Sequence, residues 1–188
     1  MLQALITEGR RCLGEAPAHK DKGKLSWRRE TIHGAEVVFR SGVSGKAEAK
    51  IAEQLKHAYQ LLKAKRFEGA WGGGFVVPAK TDKQGSISGA YNRRKDSTTL
   101  FGRISKTTII HELGHRWWYR KMTRANRLRF IDWVKAGLSP VSAYGGKDPW
   151  EAFAEAFVYF VLGKTMTPQQ VETFKIVAHG GRFERVLR

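Results

Sequence analysis

Apolar residues fall into two kinds of spacing along this chain, and the alternation between them sets the expected fold. Ala35-Glu36-Val37-Val38-Phe39 reads as a short strand ending at Ser41-Gly42. In Lys46–Phe67 the residues Ile51, Leu55, Ala58, Leu61 and Leu62 recur three, four and seven apart, which predicts an amphipathic helix. Trp71-Gly72-Gly73-Gly74 then reads as a turn feeding a strand over Phe75–Pro78, because the lysine and hydroxyl residue that complete a phosphate loop are missing. Two more strands are expected over Ser86–Asn92 and Thr98–Gly102, with Arg93-Arg94-Lys95-Asp96 as the hairpin turn. Ser88-Gly89-Ala90-Tyr91 is the candidate sheet edge.

Helical spacing takes over after that hairpin. Thr107–Met122 carries Ile109, Ile110 and Leu113 on one side, with Ser105 or Thr107 as its N-cap. Arg124–Ala136 follows with Leu128, Ile131, Trp133 and Val134 as its apolar set, closed by Gly137. A loop over Leu138–Lys147 leads to a helix over about Pro149–Leu162, and Thr167-Pro168 opens a last helix to about Ala178. The expected class is α+β, a small mixed twisted sheet with helices packed on one side. Residues 1–33 are polar and basic and read as a loosely ordered arm; residues 34–188 read as one domain.

The chemistry is concentrated in two helices. His111-Glu112-Leu113-Gly114-His115 places two imidazoles four residues apart, about 40° around a helix axis, so both can reach one metal ion. Glu112 projects beside them, placed to act as a general base without being a ligand. Gly114 lacks a side chain between the histidines, where another backbone or a substrate can approach closely. A hydrolytic zinc site needs a third protein ligand. Trp150-Glu151-Ala152-Phe153-Ala154-Glu155-Ala156-Phe157 supplies two carboxylates at i, i+4 among aromatic residues. Carboxylates in such surroundings are costly unless paired or metal-bound, which makes Glu151 the third-ligand candidate. Glu155, one turn on, is placed to orient a ligand imidazole.

The pair HELGH and EAFAEAF resembles the gluzincin metallopeptidases, and most of all the anthrax lethal factor-like group. The resemblance covers about Thr107–Val161. It implies a zincin-type domain with zinc on His111, His115 and Glu151, and with Glu155 supporting a histidine. It also implies a transition-state role for Tyr144, which stands seven residues before Glu151. A phenol O–H is a suitable donor to the oxyanion of peptide hydrolysis, and Gly145-Gly146 would let its loop adjust. Arg116 and His179 are further candidate electrophiles with no spacing argument behind them.

Composition changes the picture in two ways. The single cysteine, Cys12, leaves disulfides out of the fold and points to a reducing compartment. With no secretory signal or transmembrane run, the sequence predicts a cytoplasmic protein without membrane insertion, and a phage setting is permitted. The 34 Lys+Arg against 17 Asp+Glu give a formal net charge of +17. Arg116, Arg120, Lys121, Arg124, Arg127, Arg129 and Lys135 are opposed in their stretch only by Asp132. Such a field attracts acidic proteins or nucleic acid, and Trp117, Trp118 and Tyr119 among the charges are either base-stacking or core residues. The leading expectation is therefore a zinc metallopeptidase acting on protein or peptide substrates. One alternative is a SprT-like protease of DNA-bound proteins, with His179 in His179-Gly180-Gly181-Arg182-Phe183 as third ligand. The other is a non-catalytic, basic, nucleic-acid-binding or assembly protein that keeps a vestigial zinc site.

Overall fold

The computed structural model describes residues 27–78, 88–101 and 104–179. Five strands form one mixed sheet: β1 (Trp27–Ile32), β2 (Ala35–Arg40), β3 (Gly74–Val77), β4 (Gly89–Asn92) and β5 (Ser97–Leu100). Their order is β1-β2-β3-β5-β4. The outer pairs β1/β2 and β4/β5 are antiparallel, and β3 lies parallel to both β2 and β5. Helix α1 (Gly45–Ala64) makes the crossover between β2 and β3. After the sheet come α2 (Lys106–Arg120), α3 (Arg124–Lys135), α4 (Pro149–Leu162) and α5 (Pro168–His179). The chain is α+β, as its pattern predicts.

One boundary differs. Residues 27–32 fall within the expected arm, yet they form the edge strand β1, paired with β2 from Trp27↔Arg40 to Ile32↔Ala35. Only Ile32 of that strand is buried, so no alternation of apolar residues announces it. The rest of the arm, residues 1–26, lies outside the described residues, as do the first residues of the strand expected over 86–92.

Burial alternates along β2, β3 and β5, so one face of the sheet carries the core. Helix starts are set by side-chain caps. Ser44, Ser105, Thr123 and Asp148 each accept a hydrogen bond from a first-turn N–H of α1, α2, α3 and α4 respectively. Of the two N-cap candidates for α2, Ser105 takes the role. Gly163, at φ 66°, ends α4 in the left-handed conformation that glycine adopts without strain. No helix among the described residues is long and apolar enough to cross a membrane.

The contact that positions the site is α2 on α4. A Cβ added at Gly114 would stand 3.1 Å from Ala154 Cα and 3.2 Å from Phe157 Cβ. Backbone therefore meets backbone there, and neither side can give way as a flexible side-chain tip would. Phe67, Trp117, Phe153, Phe157 and Phe174 pack around this crossing, with Phe67 edge to face on Trp117 and Phe157 and the other pairs tilted or stacked. Gly114→Val is expected to cost at least about 2 kcal/mol through overpacking. Thermal unfolding checks this, and the melting midpoint should fall by at least about 4–8 °C for a domain of this size.

Candidate metal centre and cleft

His111 and His115 lie on the α2 face that meets α4, and α4 brings Glu151 and Glu155 to them. His111 Nε2 is 3.1 Å from Glu151 Oε2, and His115 Nε2 is 3.5 Å from Glu151 Oε1. The two imidazoles stand edge to face, with ring centroids 4.9 Å apart. One donor atom from each of His111, His115 and Glu151 falls within 4.8 Å of the others, so the three could hold a metal ion. Tetrahedral bonds of about 2.0–2.1 Å put donors about 3.3 Å apart, close to the observed separations. Glu151 Oε2 is buried and makes no well-aligned hydrogen bond, which suits an atom built to face a cation.

Glu155 takes the orienting position. Its Oε1 lies 2.9 Å from His111 Nδ1, which leaves Nε2 aimed at Glu151. Burial alone would lower the His111 imidazole, but the carboxylates of Glu151 and Glu155 against its two nitrogens raise it to about 9. Burial pushes Glu151 the other way, and the two imidazoles overcome this and hold it down at about 2. Glu155 is lowered by its hydrogen bond with His111, against its own burial, with help from Ser142.

Glu112 is buried on the same helix and stands outside the ligand group. Burial raises its carboxyl above the ordinary value, opposed by His115 and His111 and aided by Glu151. Its Oε1 would lie 2.9 Å from a Cβ at Gly89. The edge strand β4 thus runs directly over Glu112. The bond from Phe101 N–H to Ser88 O fixes the alternation of this pair. Ala90 and Asn92 turn their backbone groups to β5, while Gly89 and Tyr91 turn theirs outward to the cleft. Two lobes of about 390 and 280 Å³ flank this point, sharing Gly89, His111, Glu112 and Tyr144.

Tyr144 sits in a 3₁₀ turn, Tyr144–Gly146, 46% exposed, with its ring centroid 5.7 Å from that of His111. Burial first, and then the carboxylates of Glu151, Glu112 and Glu155, raise its hydroxyl above the usual phenol value, so it remains a proton donor. Its loop is tied to the centre by a residue the sequence does not advertise. Ser142 Oγ donates to Glu155 Oε2 at 2.7 Å and accepts from Gly145 N–H at 3.1 Å. A short polar residue in a loop has no periodicity to betray it.

The structure does not bring His179 to this group. Its ring packs on Phe67 and Trp117, at centroid distances of 4.4 and 5.8 Å. Trp117 projects roughly opposite the two histidines, about 200–240° around the helix. Burial in that aromatic cluster pushes His179 down to about 4. Arg116 is likewise no electrophile. It is paired through two nitrogens with Asp96, at 2.9 Å each, and donates to the carbonyls of Gly69, Ala70 and Trp71. Trp117 and Trp118 are core residues, while Tyr119 lines the cleft. The chain matches no protein-family model and no curated protein sequence.

Two outcomes follow from this geometry. Because His111 is raised from 6.5 to about 9, its contribution to stability is complete below pH 6.5 and fades as pH rises through 9. A metal ion must displace that proton, so metal affinity should rise about tenfold per pH unit from 6.5 to 9 and then level. Competition titrations against a chromogenic chelator across that range check this. Ser142→Ala, which frees Glu155 Oε2, should weaken metal binding about tenfold in the same assay.

Proposed function

We propose that this protein is a zinc-dependent metallopeptidase of gluzincin type, hydrolysing peptide bonds in extended protein or peptide substrates. The observation that carries the reading is the position of Glu112. It is a buried carboxylate, adjacent to the metal-binding group but not part of it, and it lies directly beneath the outward edge of β4. A metal site needed only for structure has no use for such a group.

Two imidazoles and one carboxylate are a donor set that zinc takes in hydrolytic sites. Zinc held by His111, His115 and Glu151 would supply a Lewis acid that brings a water's pKa towards neutrality. The remaining chemistry belongs to the chain. Glu112, its carboxyl raised by burial, accepts the proton of the attacking water and passes it to the departing amine. Tyr144 donates its hydroxyl hydrogen to the oxyanion as the carbonyl becomes tetrahedral. Glu155 and Ser142 keep His111 oriented and hold the Tyr144 loop against α4. The outward backbone groups of Gly89 and Tyr91 align an extended chain by strand addition and lay its scissile bond over the centre.

Cleavage of a denatured protein or a mixed peptide library by the zinc-loaded protein tests this. Glu112→Gln should lower kcat/KM by about 10²–10⁴. Tyr144→Phe should lower kcat by about 10²-fold with little change in KM. Both variants should keep the metal. Cleavage that survives in Glu112→Gln would contradict the assignment.

A further inference from the structure

One lobe of the cleft carries more machinery than hydrolysis requires. Tyr91 and Tyr119 form its floor, with rings nearly parallel and 6.3 Å apart, and Trp150, 45% exposed, stands beside them. Cations collect at its rim. The Arg93 guanidinium lies 5.6 Å over the Tyr119 ring. Arg120 donates to Arg93 O at 2.8 Å and to the Tyr91 hydroxyl at 3.4 Å.

Two carboxylates that line this lobe, Glu112 and Glu151, belong to its metal end, and Asp96 and Asp148 are engaged by hydrogen bonds. Asp96 is held by Arg116 through two bonds and accepts a third from the Tyr91 hydroxyl at 2.8 Å. Asp148 caps α4, accepting from Glu151 N–H at 2.8 Å. Arg93 has no carboxylate partner among the described residues. A cation–π contact uses none of the guanidinium's N–H donors as conventional hydrogen bonds, so the Arg93 fork keeps its capacity to match a carboxylate.

We infer that this lobe is a specificity site for an acidic side chain, Asp or Glu, of a peptide substrate, with Arg93 as its recognition residue and Arg120 beside it. The inference rests on the peptidase reading above and names its substrate class. The lobe adjoins the outward edge of β4, so the cations meet side chains of whatever extended chain that edge holds. Antiparallel pairing with β4, the more stable arrangement, sets the acidic residue N-terminal to the scissile bond. The aromatic floor and the surrounding positive charge also suit nucleic acid, but a strand edge offers main-chain pairing only to polypeptide.

The test uses three fluorogenic peptides that differ only in carrying Glu, Ala or Lys at the positions N-terminal to the scissile bond. Each is measured with the zinc-loaded wild type and with Arg93→Glu. The wild type should prefer the Glu peptide over the Ala peptide by about tenfold in kcat/KM, mostly through KM. The variant should lose that preference, its kcat/KM for the Glu peptide falling to that for the Ala peptide or below. A preference that is missing in the wild type, or that survives in Arg93→Glu, overturns the inference.

A binding arm separates this from failure of the peptidase reading. The same peptides are titrated by fluorescence anisotropy onto metal-loaded Glu112→Gln, with and without Arg93→Glu. Acidic-peptide binding that depends on Arg93, with no cleavage by the wild type, upholds the site and removes the hydrolase. A labelled single-stranded DNA that displaces the Glu peptide and depends on Arg93 more strongly than the peptide does would overturn the inference in favour of nucleic acid.

Discussion

The site depends on the close crossing of two helices. At Gly114 the backbone of α2 lies so close to Ala154 and Phe157 of α4 that a methyl group there would push them apart by a few tenths of an ångström. That crossing sets the distance between the two histidines and the two glutamates. With helices separated by ordinary side chains, at the usual 8–10 Å, Glu151 would not reach the imidazoles as it does here. The aromatic cluster of Phe67, Trp117, Phe157 and Phe174 keeps the crossing rigid from behind. Precision at the centre is thus derived from packing away from it.

A second constraint ties the sheet to the same helix. Arg116, one residue beyond His115, gathers Asp96 from the β4–β5 turn and three carbonyls from the segment before β3. Asp96 in turn accepts from the Tyr91 hydroxyl, and Gly89 of the same strand lies against Glu112. The edge strand, the carboxylate beneath it and the candidate metal-binding group are therefore parts of one connected frame. Glu155 and Ser142 do the same for the Tyr144 loop. The histidines, Glu151, Glu155, Arg116 and Asp96 in this frame are mutually paired, which lowers the cost of burying them. Glu112 is buried without an ion pair among the described residues, and its carboxyl is raised by that burial.

The two helices that form the centre were legible in the sequence, because histidines and carboxylates at i, i+4 follow from helical geometry alone. Gly114 as a point of close approach and the strand edge beside the centre were legible too. β1 was not, since an edge strand with only Ile32 buried shows no alternation of apolar and polar residues. Arg116 looked like a candidate electrophile because its partners, Asp96 and the 69–71 carbonyls, are remote in sequence. His179 was misleading for the opposite reason. A histidine near the chain's end resembled a ligand, yet the fold turns it into the aromatic core, where burial keeps it neutral. Ser142 had no local pattern, and its role exists only because α4 folds back beneath its loop.

The central claim is that His111, His115 and Glu151 form one metal site. Elemental analysis of metal bound per chain tests it most directly, on wild type, Glu151→Ala and His179→Ala after identical loading with zinc and removal of excess. The account predicts one zinc per chain in the wild type and in His179→Ala, and loss of stoichiometric zinc in Glu151→Ala. A wild type that takes up no metal, or loss in His179→Ala with retention in Glu151→Ala, would contradict it.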